Sequence, residues 1–139
     1  MKFSTRVRYG SRAMVDLALH RSDGPVSLQV LADEQQIPER YLAKIIQDLR
    51  RSGLIRSVRG AHGGYALNRR PEETTLLDVW EALEGPLCPV ECLEADSGCA
   101  MQAECVTRDV WDRIALAMAQ VLKSASLAGL VRRHRQKVG

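Results

Sequence analysis

Between Thr5 and His20 the apolar residues Val7, Tyr9, Met14, Leu17 and Ala18 recur at helical spacing, and Ser22-Asp23-Gly24-Pro25 closes the segment with turn chemistry. That predicts a first helix. Ser27 is a fair N-cap for a short second helix carrying Leu28, Val30, Leu31 and Ala32, which fades in the polar stretch 33–36. Pro38 pre-sets the first turn of a third helix, where Tyr41, Leu42, Ile45, Ile46 and Leu49 form an apolar stripe ended by Ser52-Gly53. The opposite face carries Arg40, Ala43, Lys44, Gln47 and Arg51, groups that suit base edges and phosphates. After Gly53 the period falls to two: Leu54–Val58 and Tyr65–Leu67 read as strands around a glycine-rich tip, Arg59-Gly60-Ala61-His62-Gly63-Gly64.

Two helices, a third helix with a cationic face and then a basic hairpin are the order of a winged helix-turn-helix. The third helix would enter the major groove and the hairpin would be the wing, with Arg59 reaching the narrow, electronegative minor groove. Past the joint Arg69-Arg70-Pro71, Thr75 with Asp78 forms a capping-box pattern for a fourth helix bearing Leu76, Val79, Trp80 and Leu83, which Gly85-Pro86 ends. The stretch 88–105 holds Pro89, Gly98 and scattered acids without periodicity and reads as a loop. From Thr107 a fifth helix places Trp111, Ile114, Met118, Val121 and Ala125 alternately three and four apart, a coiled-coil seam. A second copy of the chain is the expected cover, and the alternative is a fold back onto the first helix. Ser126 to His134 reads as a last short helix with a basic tail, Arg132, Arg133, Arg135 and Lys137. The expectation is a mainly α protein: a winged helix-turn-helix DNA-binding domain over 1–70, then a sensor and dimerisation region over 71–139 with a long C-terminal dimerisation helix.

The charge agrees with this division. A net +3 over 139 residues hides 13 Lys/Arg against 6 Asp/Glu in residues 1–70, and 7 against 11 in residues 71–139. A basic front half fits double-stranded DNA, because clustered cations gain by releasing its counterions. The longest uncharged apolar run, Ile114–Leu122, falls short of the ~20 residues that cross a bilayer, and the N-terminus lacks an apolar targeting segment. A cytoplasmic protein without membrane contact is expected. No nucleophile set, P-loop or dinucleotide fingerprint points to an enzyme.

Cys88, Cys92, Cys99 and Cys105 crowd one short segment. In a reducing compartment this favours metal or redox chemistry over disulfides. Only Cys88 and Cys92 have the spacing of a zinc knuckle. Thiols spread over a wider loop suit an iron-sulfur cluster, and the acids Glu91, Glu94, Asp96 and Glu104 disfavour a free thiolate. Iron-sulfur, zinc and a thiol switch stay open on the spacing alone.

The runs Arg8-Tyr9, Ala13-Met14-x-Asp16-x-Ala18-Leu19, Gly24-Pro25-Val26, Tyr41-Leu42, Leu49-Arg50-x-x-Gly53-Leu54 and Ser57-Val58-Arg59-Gly60-x-x-Gly63-Gly64-Tyr65 resemble the IscR, NsrR and RirA family of iron-sulfur transcription regulators. The resemblance covers nearly the whole chain. It implies a homodimeric winged-helix transcription factor, expected to be a repressor, on a palindromic operator, with a 2Fe-2S or 4Fe-4S cluster on Cys92, Cys99 and Cys105. It also implies DNA contacts by Arg40, Ala43 and Lys44 to bases and by Arg59 in the minor groove, supported by Tyr41, Arg50, Ser57 and Gly60. The fourth ligand departs from the pattern: Arg108 stands where the IscR type has histidine, and Arg8 where the NsrR type can use an acid. Cys88 is the nearest candidate, then Glu91 or Glu104, with His20, His62 and His134 weaker. A cluster-free or zinc-containing thiol-redox regulator is the alternative.

Overall fold

The computed structural model describes residues 2–88, 90–94 and 98–139; Pro89 and Asp96, which enter the reading of the cysteine segment, lie outside the described residues. Among the described residues six α-helices and one two-stranded sheet follow in order: α1 (Thr5–Leu19), α2 (Leu28–Gln35), α3 (Glu39–Arg51), β1 (Ile55–Val58), β2 (Gly64–Leu67), α4 (Leu76–Glu84), α5 (Val106–Ser124) and α6 (Leu127–Val138). Local chemistry sets most of the starts. The hydroxyls of Ser4 and Ser27 accept from the Val7 and Val30 amides, and Thr75 with Asp78 closes a full capping box. Gln36, at φ 54°, turns α2 into α3 from the left-handed region.

One buried cluster takes residues from both sides of Arg70. Met14 and Leu17 of α1, Leu31 of α2 and Leu42, Ile45, Ile46 and Leu49 of α3 meet Val79 and Leu83 of α4 and Leu127 and Val131 of α6. Aliphatic groups and Met14 fill it, as an aromatic content of only 4% requires. β1 and β2 pair antiparallel, Ile55 opposite Leu67 and Val58 opposite Gly64. Tyr65 also exchanges main-chain hydrogen bonds with Val26, at 2.7 and 2.8 Å, which seats the hairpin on the segment before α2. Gly64 is needed there: at φ 147° a Cβ would stand 2.4 Å from the Val26 carbonyl oxygen.

Two expectations change. Tyr41, assigned to the apolar stripe, is 37% exposed and stands edge-on to Tyr9 with ring centroids 5.8 Å apart. The last helix is neither short nor peripheral, because Leu127, Leu130 and Val131 form a stripe at i, i+3 and i+4 that lies along α1. It is α6 rather than α5 that returns to the first helix. Main-chain hydrogen bonds from Leu127 to Thr74 (2.8 Å), from Leu76 to Ala125 (3.0 Å) and from Ala128 to Pro71 (3.1 Å) fix that return. The chain between them, including α5, runs outside the core, and no residue of α5 is buried.

Leu127 is fully buried, so Leu127→Ala should destabilise the fold by about 2–5 kcal/mol. Urea denaturation followed by circular dichroism measures this; an unchanged midpoint would show that α6 is not part of the cooperative unit.

Candidate nucleic-acid interface and cysteine segment

Burial of Leu42, Ile45, Ile46 and Leu49 turns the other side of α3 outward. Arg40, Tyr41, Lys44, Gln47, Arg50 and Arg51 are exposed there, with Ala43 half-buried among them. The hairpin continues this surface through the exposed Arg56, Ser57, Arg59 and Gly60. Arg50 Nη1 donates to Ser57 Oγ at 3.5 Å and ties the end of α3 to β1. Tyr41 is held by Tyr9, over whose ring the Arg12 guanidinium sits at 5.6 Å. Tyr9 and Arg12 were not singled out as supports; their three-residue spacing on α1 was the available signal.

Ion pairing takes up some of the basic residues and leaves others free. Arg6 and Arg51 share Asp48 across α1 and α3, while Arg69 faces Asp78 and Arg70 faces Glu72 and Glu73. Among the described residues Arg40, Lys44, Arg50, Arg56 and Arg59 form no ion pair. The outer face of α3 and the wing therefore carry positive charge that the protein leaves uncompensated. Such a face gains most from a polyanion.

The cysteines lie at the far side of α4. Cys99 is exposed and Cys88, Cys92 and Cys105 are half-buried, all as free thiols. Cys92 sits in a single 3-10 turn, Glu91–Leu93, whose Cys92 carbonyl accepts from Arg108 Nε at 3.3 Å. Arg108 thus braces this turn against α5. Cys88 Sγ donates to the Val90 carbonyl at 3.0 Å beside a groove of about 710 Å³ between α4 and α5, lined also by Leu87, Leu93 and Leu116. Cys105 caps α5, with its sulfur 3.2 Å from Thr107 Oγ1. The Thr107 hydroxyl and then the Arg108 amide hold this thiol below the usual cysteine range.

Among the described residues the one trio of His, Cys, Asp or Glu with ligand atoms within 4.8 Å of one another is not a cysteine trio. Cys92, Cys99 and Cys105 share a segment without converging. As a donor set they fit a cluster: several free, accessible thiols, one already disposed to ionise, on a segment outside the core. Among the described residues no helix is long and apolar enough to cross a membrane.

Comparison with known proteins agrees with this architecture. The family model Rrf2, described as an iron-dependent transcriptional regulator, matches residues 3–133. Protein rrf2 of Nitratidesulfovibrio vulgaris is 45% identical over 132 residues, which are 95% of this chain and 88% of the relative. The structure of CymR, the global cysteine regulator of B. subtilis, superposes with a TM-score of 0.82 at 39% identity, covering 96% of this chain and 98% of that one. The structure of T. potens IscR gives 0.81 at 39% identity, covering 96% and 88%.

Iodoacetamide labelling of Cys105, followed by peptide mass spectrometry across a pH series, should set in below the pH of an ordinary cysteine thiol. Thr107→Val, which removes the main stabilising hydrogen bond, should move that onset upward.

Proposed function

This chain belongs to the Rrf2 family of transcriptional regulators, and from that premise we propose that it is a cytoplasmic homodimer whose grip on a palindromic operator is set by an iron-sulfur cluster. Its relatives are regulators of transcription rather than enzymes. The observation that carries the DNA-binding reading is the unpaired cationic surface of α3 and the wing. Arg40, Ala43 and Lys44 face the base edges, Arg59 enters the flanking minor groove, and Tyr41, Arg50, Ser57 and Gly60 support or contact the backbone. The Arg50 to Ser57 hydrogen bond keeps helix and wing in one register, so both engage the duplex together.

The exposed seam of α5 supports the dimer. Of its residues Val121 is 67% exposed and Trp111 and Ile114 are each 38% exposed. A partner's α5 would cover them and set two copies of α3 about one helical turn of DNA apart. Cys92, Cys99 and Cys105 would hold the cluster, with Cys88 as fourth ligand. When bound, the cluster would supply one-electron redox chemistry and sensitivity to iron, oxygen or nitric oxide. The Arg108 brace is what a rearranged cysteine segment would pull on, and α5 and α4 would pass that displacement to α3.

A second reading, a cluster-free thiol-redox regulator, draws on the separation of the cysteine sulfurs. Anaerobic purification with a visible spectrum and iron and sulfide assays separates the two. The cluster reading expects colour and iron with sulfide in the parent and their loss when Cys92, Cys99 and Cys105 become Ala; a colourless parent without iron refutes it.

Arg59→Ala should weaken operator binding by roughly 1–3 kcal/mol and soften its sequence preference. Fluorescence anisotropy at fixed salt checks this, and an unchanged affinity would remove Arg59 from the interface.

A further inference from the structure

Asp16 and His20 stand one turn apart at the end of α1, and Glu34 joins them from the last turn of α2. Nothing in the regulatory reading uses them. His20 Nε2 lies 2.9 Å from Glu34 Oε2 and 3.5 Å from Asp16 Oδ1. Donors bound ~2.1 Å from one ion stand at most ~4.2 Å apart, so these separations already suit shared coordination. Asp16 is only 4% exposed, and its Oδ2 has no hydrogen-bond partner. A buried carboxylate oxygen without a donor is costly, and here its carboxylate faces the other two groups.

The local charge is also incomplete. Asp23 lies 3.6 Å from His20 Nδ1, so three carboxylates surround one imidazole. The nearby Arg12 is spent on the Gln35 carbonyl and side chain instead. Burial pushes the Asp16 carboxyl up, the neighbouring Asp16 pulls Glu34 down, and Glu34 pushes His20 up.

We propose that Asp16, His20 and Glu34 form a binding site for one divalent first-row transition-metal ion, separate from the cysteine segment. One imidazole and two carboxylates are a borderline-to-hard donor set of the kind that takes Zn(II), Co(II) or Fe(II). Half-exposed His20 and Glu34 leave water free to complete the coordination. Two ligands come from α1 and the third from α2, just before the Gln36 turn into α3. An occupied site would pin α2 to α1 and so steady the element that leads into the reading helix. This goes beyond the cluster reading and stands whether or not a cluster is present.

Co(II), added anaerobically to the full chain and to a full chain with all four cysteines changed to Ser, tests the proposal. Nitrogen and oxygen ligation gives a weak visible band without the intense near-ultraviolet thiolate transitions. The expected result is one equivalent of such binding that survives in the cysteine-free chain and is displaced by Zn(II). In the cysteine-free background it should weaken at least tenfold in His20→Ala and in Glu34→Gln, whose partly exposed positions spare the core. Zn(II) should likewise raise the thermal midpoint of the cysteine-free chain and not that of its His20→Ala derivative. Binding equally tight in the His20→Ala and Glu34→Gln derivatives, or no uptake by the cysteine-free chain, would overturn the assignment.

Discussion

The return of the chain to residues 71–76 is the constraint on which the arrangement depends. Three main-chain hydrogen bonds, Leu127 to Thr74, Leu76 to Ala125 and Ala128 to Pro71, bring the start of α6 against the approach to α4. Leu127 is thereby placed in the core with Val79, while the chain between the two anchors is excused from it. The domain closes without α5. That explains how a helix rich in Val, Leu, Ile and Ala has no buried residue, and why the cysteines sit on an excursion rather than within packed structure. Rearranging such an excursion costs little core energy, because few buried contacts are broken. The same anchors restrict where the displacement goes: α5 touches α4, and α4 touches α1 and α3.

Charge follows the same geometry. Arg6 of α1, Arg51 of α3 and Arg69 and Arg70 before α4 are paired with acids, whereas Arg40, Lys44 and Arg50 of α3 and Arg56 and Arg59 of the hairpin form no ion pair among the described residues. Those five unpaired cations put positive field where α3 is exposed, although the whole chain is only +3.

Wherever one local interaction decides an element, the sequence is legible. Ser27 caps α2, Thr75 and Asp78 box the start of α4, and the glycine-rich tip separates two strands, all as their side chains dictate. The apolar stripe of α3 likewise fixes which residues face out. What escapes is long-range. The pairing of Tyr65 with Val26 and the return of α6 to α1 depend on which distant backbone atoms meet, and no spacing encodes that. Tyr41 fell on the apolar side of a helical wheel, but its ring finds Tyr9 at the rim rather than the core. His20 stands in the sequence only as a weaker candidate for a fourth cluster ligand, because one of its partners, Glu34, lies on another helix.

The two candidate sites differ in chemistry in a way that bears on how they would act. The thiols are soft donors on a segment outside the core, and their sulfurs do not converge, so occupying them entails a change of shape. The imidazole and carboxylates are harder donors at the junction of two packed helices and already lie within 4.8 Å of one another, so occupying them entails almost none. An ion at the first site would therefore move a bistable element, whereas an ion at the second would stiffen a formed one. The stiffened junction is the one that orients α2 ahead of α3. A regulator built this way would separate the part that responds, behind α4, from the part that keeps the reading helix rigid enough for that response to register on DNA.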